Sequence, residues 1–210
     1  NIIYLKKFNK TSKVIAYGST MQKYNDKSFL KKFNITEKEY YLVVGRLIPD
    51  NNSKLIIEGF LKSKSNKKIV IVGDVPYPDN YADSVKKLSS SKVIFTGYIS
   101  NQIELSLLYQ NAYGYVHGHE YGGTNPTMIN ALSINCQILA LNTVFNHEML
   151  CNKKAIFFEK NINSISKSID LFEKSIEQLI FSNQDYKLPL CYDWEKITEN
   201  YLDLFLKLKK

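Results

Sequence analysis

The sequence predicts an α/β fold with a doubly wound, Rossmann-like parallel sheet. Short apolar runs recur at 13–17, 40–45, 68–72, 92–96, 112–116, 137–141 and 155–158, and stretches of helical periodicity lie between them. A run such as Ile69-Val70-Ile71-Val72 has no polar face, which suits a strand covered by helices on both sides. Repeats and low-complexity segments are absent.

Taken in order, Lys13 to Tyr17 is the first strand-like stretch, and Tyr40 to Val44 is the second, ending at Gly45-Arg46. Residues 53–64 then place Leu55, Ile56, Gly59 and Phe60 on one helical face. The strand at 68–72 ends in Gly73-Asp74, where the acid either caps the following loop or meets a ligand. Phe95-Thr96-Gly97-Tyr98-Ile99 closes the next strand and leads into Ser100-Asn101, a helix N-cap for residues 101–110. Tyr113 to Val116 is a buried strand end, and Pro126 is a favoured first helical residue, with Met128, Ile129, Ala131 and Leu132 facing the core behind it. After the strands at 137–141 and 155–158, Ser182 to Tyr192 reads as the only long irregular stretch, before a last helix beginning near Asp193.

With 210 residues the chain suffices for one α/β domain or one large lobe of something bigger. It begins at Asn1 rather than methionine, which is expected of a fragment or a processed chain. No segment approaches the roughly 18 apolar residues of a membrane span, and no signal-peptide pattern appears. Cys136, Cys151 and Cys191 are widely spaced and outside any CxxC pattern, which argues against a disulfide framework or zinc site and fits a reducing cytosol. The net charge of +8 comes from lysines scattered over the whole chain, without the basic-aromatic interleaving of a nucleic-acid groove. Among the 28 basic residues only Arg46 is arginine. A guanidinium offers phosphate oxygens a planar fork that an ammonium cannot copy, and Arg46 falls at a strand end, where ligands gather in open α/β sheets.

The segment His117-Gly-His-Glu-Tyr-Gly-Gly-Thr-Asn-Pro126 is the richest in chemistry. Gly122 and Gly123 let backbone approach a ligand, and the helix start that follows presents free N–H groups carrying roughly half a positive charge. An anion such as a diphosphate is the expected guest. Glu120 can accept hydrogen bonds from sugar hydroxyls or steady a developing positive charge. His119 adds a polar edge, while His117-x-His119-Glu120 lacks a third spaced metal ligand. Asn130, one turn into the helix, leans back toward the loop and can meet a ribose hydroxyl or a backbone group. Glu148 is the candidate in Asn146-His147-Glu148 to face the same place.

The ordered set Gly45-Arg46, Gly73-Asp74, Gly97-Tyr98, Glu120 to Pro126 and Glu148 resembles the donor-binding, C-terminal lobe of group 1 (family 4) glycosyltransferases of the GT-B type. "VGRLIPDNN" at 44–52, "HGHEYGGTNPTMINAL" at 117–132 and "FNHE" at 145–148 are similar to bacterial rhamnosyltransferases of that family. The resemblance implies a metal-free, retaining transfer from a nucleoside-diphosphate sugar, with dTDP-L-rhamnose favoured, onto a surface polysaccharide. It implies Glu120 as the catalytic acid and Gly45, Arg46, Asn51, Tyr98, Ile99, His119, Gly122, Gly123, Thr124, Asn125, Asn130 and Glu148 as donor contacts. Asn130 stands where the family has a second glutamate, and Asn51 stands where many members have a lysine, with Lys54 a possible substitute. By the same resemblance, residues 1–20 link to an N-terminal lobe that holds a glycan or lipid-linked glycan acceptor. Residues 21–192 form the sugar-nucleotide domain, and 193–210 a helix packing back across the lobe boundary. A cytoplasmic enzyme, with peripheral contact to the inner membrane face, is the expected setting. A sugar-nucleotide epimerase and a degenerate lobe that binds without turnover are the competing readings; Asn130 keeps the latter alive.

Overall fold

The computed structural model describes residues 2–182 and 186–208. Alternation within each strand builds a core on both sides of one sheet. In β1 (Tyr40–Val44), Tyr40 and Leu42 belong to one apolar cluster, Tyr41 and Val43 to the other, and all four are buried. The same division holds in β2 (Lys68–Val72), where Ile69 and Ile71 oppose Val70 and Val72. With β3 (Val93–Gly97), β4 (Gly114–His117), β5 (Ile138–Leu141) and β6 (Ile156–Phe158), these strands form a six-stranded sheet in the order β3-β2-β1-β4-β5-β6. Every pairing is parallel.

Helices cover both faces, as continuously apolar strands require. α3 (Ser53–Lys62), α4 (Asn80–Lys86) and α8 (Ile162–Ser182) pack through Ile56, Ile57, Phe60, Val85, Ile165 and Phe172 on one side. α5 (Gln102–Asn111) and α6 (Pro126–Ser133) pack through Leu105, Leu108, Met128, Ile129 and Leu132 on the other, joined by Met149 of α7 (Val144–Met149). Gly59 is small for a packing reason: a Cβ there would lie 2.5 Å from Ile165 of α8. Asn101 caps α5 as expected, accepting from the N–H of Ile103 at 2.9 Å. Asp193 does the same for α9 (Trp194–Leu208), accepting from Glu195 and Lys196. Two short helices, α1 (Ile2–Phe8) and α2 (Ser28–Lys31), precede the sheet.

Two expectations need correction. Lys13 to Tyr17 forms no strand, and Val14 and Tyr17 are exposed. Apolar content makes a strand only where a sheet edge accepts it, and here the residues that follow are instead tied to helices. Gly18 rests against the Trp194 indole, Ser19 bonds α6, and Tyr24 exchanges backbone hydrogen bonds with the Gln110 side chain of α5. Residues 10–27 are therefore a long irregular strap, so Ser182 to Tyr192 is not the sole such stretch. Within the latter, α8 runs through Ser182, Leu190–Tyr192 is a 3-10 turn, and residues 183–185 lie outside the described residues.

Candidate functional site

The chain leaves β1 toward β2 and β3 on one side and returns to place β4 on the other, so the sheet reverses direction of growth between β1 and β4. Loops after these two strands must diverge, and a crevice opens at their carboxyl ends. A cleft of about 210 Å³ occupies that position. Gly45 and Arg46 line it from the end of β1, His117, Gly118 and His119 from the end of β4, Asn51 from the loop before α3, Ser53 from the start of α3, and Asn125, Pro126 and Thr127 from the start of α6. Two helix N-termini thus open onto one cleft, both adding positive potential.

Local sequence explains how these parts are held. The loop after β1 turns through a 3-10 segment, Pro49–Asn51, and Asn52 takes the left-handed conformation that starts α3. Asn51 Nδ2 donates to the Arg46 carbonyl at 2.8 Å, which leaves Asn51 Oδ1 to accept from His119 Nδ1 at 2.7 Å. Asn52 Nδ2 donates to the Gly118 carbonyl at 2.9 Å, and the Glu120 N–H donates to the Asp50 carbonyl at 3.0 Å. The two loops approach so closely at Gly118 that a Cβ there would lie 2.5 Å from the Asn51 carbonyl oxygen. At the next turn Gly122 has φ 118°, a conformation that L side chains rarely adopt. Asn125 caps α6, accepting from the Thr127 N–H at 3.0 Å.

The electrostatics are uneven. Arg46 is exposed at the lip, and among the described residues no carboxylate pairs with it, which removes a structural ion pair as the reason for this arginine. Glu120 sits beside the cleft with Oε2 2.5 Å from Lys160 Nζ, and that bond holds the carboxyl below its usual range. His117 is 2% exposed, and burial, with His119 nearby, pushes its imidazole down to about 3. Burial also lowers His119.

Of the residues expected at a donor site, Gly45, Arg46, Asn51, His119 and Asn125 are brought together in the cleft. Glu120, Gly122, Gly123 and Thr124 form the loop between His119 and Asn125. Tyr98, 80% exposed, and Ile99, buried in the core, follow β3, two strands away from β1. Asn130 lies outside the cleft lining, where its Oδ1 accepts from Ser19 Oγ at 2.9 Å. Glu148 is exposed on α7. Asp74 bonds its own neighbour Val75 and pairs with Lys86 at 2.7 Å, the capping role. Sequence reasoning did not single out Ser53, Gly118, Thr127 or Lys160. Ser53 and Thr127 had a signal, since each lies in the first turn of a helix that follows a strand; Lys160 had none.

A larger cavity, about 570 Å³, lies at the opposite ends of the strands, beside Lys38 and Cys136. Lys38 Nζ is engaged there with the carbonyls that end α5, Gln110 and Ala112, both at 2.9 Å.

Comparison with known proteins agrees with this architecture. The sequence matches the family described as glycosyl transferases group 1 over residues 25–184. A comparison with curated proteins finds no match. Among solved structures, a glycosyltransferase from Rickettsia africae superposes with TM-score 0.80 at 15% identity, covering 100% of this chain and 61% of that one. HepE from Anabaena, in complex with UDP and glucose, superposes with TM-score 0.67 at 10% identity, covering 85% and 53%. The C-terminal domain of LpcC, a glycosyl transferase group 1 family protein from Francisella tularensis, superposes with TM-score 0.61 at 19% identity, covering 89% and 96%. The chain therefore spans little more than half the length of the longer structures it matches. With a parallel six-stranded sheet, a cleft at its switch point and a family match over most of its length, this chain belongs to the glycosyl transferases group 1 family.

Proposed function

We propose that this chain is the donor-binding lobe of a retaining glycosyltransferase that takes its sugar from a nucleoside diphosphate. One observation carries the reading: an arginine without a carboxylate partner among the described residues and two helix N-termini converge on a single cleft at the sheet's switch point. Arg46 would grip the diphosphate as a fork, and the first-turn N–H groups of α3 and α6 would complete its hydrogen bonds. The open loop Gly122 to Asn125 would meet phosphate and sugar through backbone. Glu120, kept ionised by Lys160, would steady positive charge as the sugar leaves. No step in this scheme draws on a metal. The complex of HepE with UDP and glucose supports a nucleotide-sugar partner.

The motifs "VGRLIPDNN", "HGHEYGGTNPTMINAL" and "FNHE" favour dTDP-L-rhamnose as donor and a growing surface polysaccharide as product. A partner lobe would hold the glycan or lipid-linked glycan, with α9 crossing toward it, and peripheral contact with the inner membrane face suits such an acceptor. Among the described residues no helix is long and apolar enough to cross a membrane. A second reading, binding without turnover, is favoured by Asn130, which stands where the family has a glutamate and is engaged with Ser19 outside the cleft lining.

The test is thermal stabilisation against dTDP, UDP, GDP and their sugars, since ligand at 100 times its dissociation constant adds about 2.7 kcal/mol. A dTDP-rhamnose shift larger than the others is expected. No shift with any nucleotide would sink the donor-lobe reading, and a larger shift with a UDP or GDP sugar would replace rhamnose.

A further inference from the structure

A chain of hydrogen bonds at the cleft floor fixes where His117 carries its proton. Asn125 Oδ1 accepts both the Thr127 N–H at 3.0 Å and the Thr127 hydroxyl at 2.8 Å, so the Thr127 Oγ1 proton is committed there. Tyr115 Oη donates in turn to Thr127 Oγ1 at 2.9 Å. With that proton spent, the Tyr115 oxygen offers only lone pairs to His117 Nδ1, 2.9 Å away. Nδ1 must therefore be the protonated nitrogen, and Nε2 keeps its lone pair.

Among the described residues that lone pair has no partner. His117 lines the cleft, its side chain is buried, and among the described residues nothing donates to Nε2. A buried acceptor left unmatched is destabilising, and the neutral ring cannot relieve it by taking a second proton at ordinary pH, because burial holds its pKa near 3. The group that satisfies it must be a donor. Phosphate oxygens only accept, so a diphosphate held by Arg46 and the two helix N-termini cannot fill this role.

We propose that His117 Nε2 accepts a hydrogen bond from a hydroxyl of the sugar carried by the nucleotide, and so reads the sugar half of the ligand. This rests on the donor-lobe reading. It also gives the cleft two chemically distinct regions: a cationic lip for the anion, and a floor whose orphan acceptor repels anions and prefers a hydroxyl.

Titration calorimetry with matched pairs, each nucleoside diphosphate with and without its sugar, tests the proposal. His117→Asn keeps a donor near the Nδ1 position for Tyr115 and deletes the acceptor. It is expected to weaken sugar-nucleotide binding about tenfold, equivalent to about 1.4 kcal/mol, and to leave the sugar-free diphosphate unchanged. Tyr115→Phe, which releases the Nδ1 proton from its acceptor, should lose the same discrimination if the first variant folds poorly. Equal losses for both ligands would place the contact on the nucleotide half and overturn the proposal, as would no loss in either variant. A wild-type chain that binds neither ligand overturns the donor-lobe reading itself, a different result from binding both with His117→Asn unaffected. Nitrogen-15 shifts of the imidazole give an independent readout: a proton found on Nε2 removes the lone pair on which the proposal stands.

Discussion

Lys160 and Glu120, forty residues apart, join the loop after β6 to the loop after β4 through a bond of 2.5 Å. The Glu120 N–H is meanwhile tied to the Asp50 carbonyl, so one residue clasps three loops around the cleft. The pair is partly solvated, with the glutamate side chain 19% and the lysine 53% exposed, and it should stabilise the fold by only about 0.2–1 kcal/mol. Its pH window follows from the shifts. Glu120 is lowered, so its contribution is present above the usual carboxylate range and is lost as pH falls through the folded value; Lys160 is raised, so the pair is lost again as pH climbs through the amine. Urea denaturation of Lys160→Met should show a small deficit at pH 7 that vanishes in acid. A deficit unchanged between the two would mean that the ion pair contributes nothing.

The two cleft histidines predict acid sensitivity beyond that. His117 titrates near 3 in the fold against an ordinary 6.5, and His119 is lowered as well. Between those values the unfolded chain binds more protons, so stability is full above pH 6.5 and declines as pH falls. The slope from His117 should approach about 1.4 kcal/mol per pH unit, and His119 adds to it in the same direction. Urea midpoints from pH 7 to 5, above the range where most carboxylates titrate, measure this directly. His117→Asn should flatten the curve; an equally steep curve would show that His117 protonates freely.

Among the described residues the Arg46 side chain has no carboxylate partner to lose, which separates its two possible roles. Arg46→Ala should leave the melting temperature of the unliganded chain unchanged while weakening nucleoside-diphosphate binding by about 1.5–3 kcal/mol, the range for hydrogen bonds to charged groups. Arg46→Lys should restore only part of that affinity, because an ammonium cannot present the fork. Unaltered binding in the alanine variant would dismiss the arginine from the site.

Two glycines should part company in the same experiments. A methyl at Gly118 meets the Asn51 carbonyl at 2.5 Å, so Gly118→Ala must push the two cleft loops apart, with a stability loss of about 1–3 kcal/mol and weaker binding. A methyl at Gly123 meets nothing within 4 Å, and Gly123→Ala should fold as well as wild type. If its backbone meets the ligand, binding alone should fall, as calorimetry would show; equal binding would place the ligand elsewhere.

Most of the sheet was legible because strand formation in a doubly wound fold is written in local composition. Six apolar runs from Tyr40 to Phe158 became the six strands within a residue or two, and Asn101, Asn125 and Asp193 acted as helix caps from local chemistry alone. The exception, Lys13 to Tyr17, shows the limit: its apolar residues pair with no strand of the sheet, and Val14 and Tyr17 stay exposed.

The candidate site divides in the same way. Arg46, the sole arginine, and the glycine loop before Pro126 stood out through composition and turn chemistry, which neighbouring residues determine. The tertiary structure alone decided that Asn51 would bond His119 across 68 residues, that Lys160 would reach Glu120, that Ser19 would claim Asn130, and that Thr127 and Tyr115 would set the proton on His117. Such partners are chosen by which loops the parallel sheet brings to one end. The direction of a hydrogen bond between them depends on every other bond already made, and neither is encoded within any one stretch of sequence.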